Sequence, residues 1–225
     1  MERDELSAWL RLHLTPGVGN ASARKLLRAF GLPQEVFQQP ERVLAQVVTA
    51  TQAAALVQLP AALEALVETT WDWHTTEPLQ RRVVALGDVD YPSGLLHMED
   101  PPLLLYGIGC ERAWQSLALP QGTDQRLAIV GSRNPTPQGV TNAQSFSCAL
   151  AEAGLTIVSG LAWGVDGAAH EGALQGAPSG QIATIAVVGT GLDRVYPKEH
   201  RALAHRICER GLILSEYALG TPPTA

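Results

Sequence analysis

The sequence predicts an α/β fold, a doubly wound parallel sheet preceded by a small all-helical region. Three observations carry this prediction. A short apolar strand that runs into a glycine-punctuated loop and then a helix recurs at Leu127–Val130, Thr156–Ser159 and Ile182–Val188. Residues 5 to 68 instead keep apolar side chains at helical spacing. From Arg82 onward the pattern changes to short apolar runs broken by Gly, Pro and Asp. The chain is therefore divided into a helical domain, residues 1–68, and a sheet domain, residues 69–225.

Taken in order, Leu6, Trp9, Leu10 and Leu14 mark a first helix, and Ala21 to Phe30 a second that Gly31 stops. Between them Pro16-Gly17-Val18-Gly19 makes a tight turn, with Asn20 or Ser22 available to cap the second helix. Residues 40–67, rich in Ala, Leu and Val, suit two further short helices. Val83–Leu86 and Leu103–Tyr106 read as the first strands, residues 107–126 as a helix-containing connection, and Leu212–Ser215 as the last strand.

Composition narrows the function classes. Hydrophobic and charged fractions of 46% and 17% are those of an ordinary globular protein, which argues against disorder. The N-terminus carries charges of both signs and lacks the apolar core of a secretory signal, and no run is long enough to span a bilayer. Cys110, Cys148 and Cys208 are odd in number and widely spaced, so they read as packed thiols in a reducing compartment, the cytoplasm. A net charge of −6 opposes nucleic-acid binding through the overall field, so any such contact must be local.

The three loops carry the chemistry. In a parallel sheet they lie along one edge, where helix N-termini present N–H groups suited to phosphates. In the first, Gly131 turns the chain off the strand, Ser132 is a donor, and Arg133 offers a planar fork for phosphate; the plainer reading pairs Arg133 with a carboxylate. In the second, Gly160 and Gly164 allow close backbone approach, Ser159 is a further phosphate-binding candidate, and Trp163 either stacks a base or packs inward. Asp166 and His170, one helical turn apart, read as loop-orienting and packing residues rather than a catalytic pair. In the third, Gly189 and Gly191 flank Thr190, with Arg194 as a further donor. His97, His200 and His205 read as surface or packing residues. No segment matches a P-loop, a GxGxxG fingerprint, a GxSxG elbow or a metal-ligand spacing, so no cofactor and no metal are expected.

AIVGSRNPTPQG, TIVSGLAWGVDGAAHEGAL and AVVGTGLDRVYPKEHRAL resemble the core of the DNA-processing protein A (DprA/Smf) family. VVALGDVDYP and DPPLLLYGIG are similar to that family's preceding strands, and LTPGVGNASARKLL to its SAM or helix-hairpin-helix-like N-terminal domain. The resemblance implies an extended Rossmann-like sheet and a cytoplasmic protein of natural transformation. Such a protein binds and protects single-stranded DNA and helps load a RecA-type recombinase, without enzymatic turnover. It implies that Arg133 contacts DNA, and that the hairpin Pro16, Gly17, Gly19, with Lys25 beside it, contacts either duplex backbone or protein. The family usually carries Arg or Lys at the position of Trp163. It continues past GTPPTA with an arginine-rich segment, the rest of its sheet and its dimer-forming surface, so a homodimer would form through that region. The alternative is a nucleotide-binding Rossmann enzyme of the phosphoribohydrolase-like group, whose PGGxGTxxE motif has no counterpart here.

Overall fold

Pro16 and Gly31 set the lengths of the first two helices in the computed structural model, which describes residues 1–77, 80–118 and 125–223. Helix α1 (Arg3–Leu14) ends as Thr15 turns extended, the conformation a following proline imposes. Helix α2 (Asn20–Phe30) ends at Gly31, whose φ of 94° suits glycine and lets its N–H bond to the Leu27 carbonyl. Two short helices follow, α3 (Pro33–Phe37) and α4 (Glu41–Leu44). Helix α5 (Ala50–Leu56) opens with a reciprocal capping box between Thr49 and Gln52. Helix α6 (Leu63–Thr76) runs on past residue 68 and buries Val67, Thr70 and Trp73. One apolar core joins these helices to the sheet, because Leu6, Trp9, Leu26 and Trp73 pack in the same cluster as Leu103, Leu104, Tyr106 and Leu219.

The six strands are β1 (Arg81–Ala85), β2 (Leu104–Gly109), β3 (Arg126–Ala128), β4 (Thr156–Ser159), β5 (Thr184–Val187) and β6 (Gly211–Ser215). Their order is β1-β2-β6-β5-β4-β3. The sheet is mixed rather than wholly parallel: β3, β4, β5 and β6 run parallel, whereas β2 lies antiparallel to both β6 and β1. The strand–helix alternation that predicts parallel neighbours begins only at β3. Upstream of it, β1 and β2 are joined by a loop and pair as antiparallel neighbours.

The winding also differs from the double winding expected. The four parallel strands follow one another across the sheet with no reversal of order. Right-handed crossovers then put α8 (Pro137–Glu152), α9 (Val165–Gly176) and α10 (Arg201–Arg210) on one face, where α9 packs against both α8 and α10. Helix α7 (Glu111–Ala118) covers part of the other face, with Trp114 against Leu212 and Leu214. Strand β3 is shorter than the sequence run, although the Ile129 N–H still bonds to the Val158 carbonyl.

Helices α8 and α9 touch backbone to backbone. A methyl group at Gly172 or Gly176 would sit 2.1 Å from the carbonyl oxygen of Gln144 or Cys148. Small residues along α9, nearly all buried, therefore fix how closely the loop before α9 approaches the loop before α8.

Candidate nucleic-acid interface

The strand order sets the three loops side by side along the carboxyl edge of β3, β4 and β5, with loop 159–166 between the other two. That middle loop is braced on both flanks. Toward the first loop, the Val165 N–H bonds to the Ser132 carbonyl at 3.1 Å. A side chain at Gly164, which has φ 84°, would meet that carbonyl and the backbone of Arg133. Toward the third loop, His200 Nδ1 lies 3.0 Å from the Leu161 carbonyl, and its ring centroid lies 4.8 Å from that of Trp163. Close loop-to-loop packing, rather than access for a ligand, is what demands glycine at 164.

Beneath the middle loop the chain supplies its own anion. The Asp166 carboxylate is buried and accepts from the Gly160 and Ala162 N–H groups at 3.2 and 3.4 Å. The first N–H groups of α9 bond to Ser132 and Ala162 carbonyls, and the Thr136 hydroxyl caps α8. The expectation of unpaired N–H groups waiting for phosphate is thereby narrowed at these two helices: the Val165, Gly167 and Gly139 donors are satisfied within the fold, and a second anion at Asp166 would be repelled. Ser159 is buried and donates to the Ile129 carbonyl at 2.6 Å, so its hydroxyl faces the sheet.

His170 is a packing residue. Its Nδ1 lies 2.7 Å from the Thr184 hydroxyl, which itself donates to the Ile157 carbonyl; Nδ1 therefore carries the proton. Nε2 is buried with no hydrogen-bond partner. Burial first, and then the neighbouring His200, push the His170 pKa down to about 3, so the ring is neutral at physiological pH.

What the edge leaves available is side-chain charge. Arg133 is exposed and makes no hydrogen bond or ion pair among the described residues. Ser132 Oγ accepts from the Asn134 N–H at 3.0 Å, which leaves its own hydrogen free to donate. Beside the third loop lies a cavity of about 450 Å³, lined by Arg81, Arg194, Lys198, Arg201 and His205, with Asp193 as its acidic member. Arg194 is tied to Asp193 at 2.8 Å. Burial alone would raise the Asp193 pKa, but Arg194 and the Gly220 N–H outweigh it and hold the carboxyl below its usual range. Lys198 and Arg201 are exposed and unpaired among the described residues. Sequence reading passed over both, although the cluster Lys198-Glu199-His200-Arg201 directly after the third loop was the available signal. On the cavity floor, burial foremost pushes the Cys208 thiol up to about 12, so no thiolate nucleophile forms there at neutral pH. Thr190 is buried, and Gly191 packs against Ala218 and Gly220, whereas Gly189 stays open. Trp163 is 48% exposed and so is not a core residue.

The N-terminal hairpin is built differently. Gln52 Nε2 donates to the Gly17 carbonyl at 2.7 Å and steadies the turn, while Pro16, Gly19 and Lys25 are exposed. Arg24 is committed to Asp100 at 2.5 Å and to the Glu99 carbonyl at 2.9 Å. Among the described residues, no group of His, Cys, Asp or Glu could hold a metal ion, and no helix is long and apolar enough to cross a membrane.

A sequence model of DNA recombination-mediator protein A matches residues 82–225, more than half of the chain and all of the loop edge. The chain belongs to this family. Among curated relatives, protein Smf of Synechocystis is 44% identical over 60% of this chain and 32% of its own length. DNA processing protein DprA of Streptococcus pneumoniae is 41% identical over 59% of this chain and 43% of its own length. The chain thus matches less than half of these longer relatives. The crystal structure of the pneumococcal protein aligns over 100% of this chain and 70% of its own, with 30% identity and a TM-score of 0.63. A structure of DNA processing protein A from Helicobacter pylori, studied for its single-stranded DNA binding mode, aligns over 64% of this chain and 59% of its own, with 32% identity and a TM-score of 0.51.

Proposed function

We propose that this member of the recombination-mediator family binds single-stranded DNA along the loop edge and acts as a binding protein, not as an enzyme. The observation that carries the reading is local. In a chain with net charge −6, Arg133, Lys198 and Arg201 are exposed and, among the described residues, unpaired around one glycine-loop edge. Phosphates fall to these side chains and to Ser132 and Gly189, with Arg194 contributing a partly neutralised charge. Gly131, Gly160, Gly164 and Gly191 shape the edge, and Asp166 and His170 hold it from beneath. The single-stranded DNA studied with the Helicobacter pylori relative supports this substrate class.

In this reading the protein works in the cytoplasm during natural transformation, protecting incoming strands and handing them to a RecA-type recombinase. The helical part, whose last helix α6 runs through the expected boundary at residue 68 to Thr76, has in this reading a supporting role beside the third loop, where Leu192 packs against the shared core.

The test is fluorescence anisotropy of a labelled single-stranded oligonucleotide at low and moderate salt. Binding should weaken steeply as salt rises, because each phosphate neutralised releases counterions, and it should weaken further in Arg133→Ala. Salt-independent binding, or an indifferent Arg133→Ala variant, overturns the reading. Release of base or phosphate from mononucleotides would instead favour the phosphoribohydrolase-like alternative.

A further inference from the structure

We infer that Trp163 and His200 form a two-ring platform on which a base of the bound strand stacks, with His200 as the positioning residue; the inference rests on the single-stranded DNA reading above. A large indole left 48% exposed on a loop is costly unless something covers it. This one is held in place. Its ring lies 4.8 Å from the His200 ring at an interplanar angle of 56°. The His200 ring is fixed in turn, with Nδ1 at 3.0 Å from the Leu161 carbonyl. Its other edge is seated over α9 at Gly167, where a side chain would come within 2.7 Å of Cε1. A glycine in the first turn of α9, a backbone carbonyl and a tilted imidazole in contact together orient one indole.

The surroundings select a base over a phosphate at this point. Two N–H groups of the middle loop, those of Gly160 and Ala162, are already taken by Asp166, whose charge repels a further anion. Beside them the exposed face of Trp163 projects from the centre of the edge. Arg133 stands on one side, its backbone against Gly164, and Lys198 on the other, two residues before His200. Cation, aromatic ring, cation is the sequence a single strand meets in a groove that tracks phosphates and stacks bases. A ring that merely sealed His200 would affect stability alone, without regard to whether the strand carried bases.

The experiment measures the affinity of the full chain for a short oligothymidylate and for an abasic strand of equal length. The proteins compared are wild type, Trp163→Ala, Trp163→Phe and His200→Ala, each checked for folding by circular dichroism and thermal melting. Wild type should prefer the base-bearing strand, and Trp163→Ala should shrink that preference by roughly 5- to 150-fold, the range for one stacked base. Its affinity for the abasic strand should stay unchanged. Trp163→Phe should restore most of the preference, and His200→Ala should lower the preference with no matching loss on the abasic strand. Equal loss on both strands in Trp163→Ala, or a wild-type preference that survives it, overturns the platform while leaving DNA binding intact. Absence of binding to either strand by folded wild type overturns the DNA reading, and the platform with it.

Discussion

The N-terminal hairpin and the loop edge begin from the same ingredients, a glycine turn, a helix start and nearby basic residues, and finish with opposite electrostatics. At the hairpin, Arg24 is held by Asp100 and the Glu99 carbonyl, so a phosphate arriving at Arg24 must compete with a carboxylate already in place, while Lys25 and Arg28 are exposed and unpaired among the described residues. At the loop edge the built-in carboxylate, Asp166, faces inward onto backbone N–H groups, and Arg133, Lys198 and Arg201 stay unpaired. What differs is the acid nearest each turn: at the hairpin Asp100 faces outward onto Arg24, and at the loop edge Asp166 faces inward onto backbone N–H groups. The same accounting answers the objection raised by net charge. Elsewhere Arg82 is paired with Asp90 and Glu111, and Arg206 with Glu171.

The sharpest test of the comparison sets one region against the other. Arg133→Ala should weaken single-stranded DNA binding by roughly 10- to 100-fold at low salt, the range for loss of a charge-assisted hydrogen bond. Lys25→Ala should change it by less than about 2-fold; equal losses in anisotropy titrations would erase the distinction. Next in size, Asp166→Ala should cost about 1–3 kcal/mol of stability, since two loop N–H groups lose their acceptor. Urea denaturation measures it, and an unchanged midpoint would mean that the brace does not hold the loop.

Acid should loosen the edge through His170. Its folded pKa of about 3 lies below the ordinary value of 6.5, so the unfolded chain takes up the proton first and stability falls as pH drops through that window. The loss attributable to this group should be roughly 2 kcal/mol between pH 7 and 5. His170→Asn, which retains a donor for Thr184, should flatten that part of the stability–pH curve, and an unaltered slope would assign it to other groups. The smallest effect is expected at the hairpin, where Asp100→Asn releases Arg24 from an exposed pair worth about 0–1 kcal/mol. Duplex DNA binding should rise by no more than about 3-fold; a larger gain would show that the hairpin is a masked DNA site.

Much of this was legible in the residues. The apolar runs and their glycine loops located the parallel strands; β4, β5 and β6 are mostly buried, and a strand buried on both faces must be nearly all apolar. The spacing of Asp166 and His170 on one helix face left a catalytic pair open beside the preferred reading of loop-orienting and packing residues, and the contacts are those of the latter. Arg133 was legible as the outward-facing cation directly after its strand. The short β3, the antiparallel β1 and β2 and the single winding direction were not legible, since strand order depends on contacts between residues a hundred positions apart, such as Ile108 with Ile213. Nor was His200, whose importance comes from Trp163 on a different loop.

The sequence by itself determined where the strands lie to within a few residues and that a glycine-containing loop follows three of them. These follow from local backbone sterics and from the period of the apolar pattern. Only the tertiary structure decided which charges stay unpaired and which loops meet, because pairing and stacking depend on distances through space. Arg24 and Arg133 look alike in the chain, and folding alone gives one a carboxylate and leaves the other facing water.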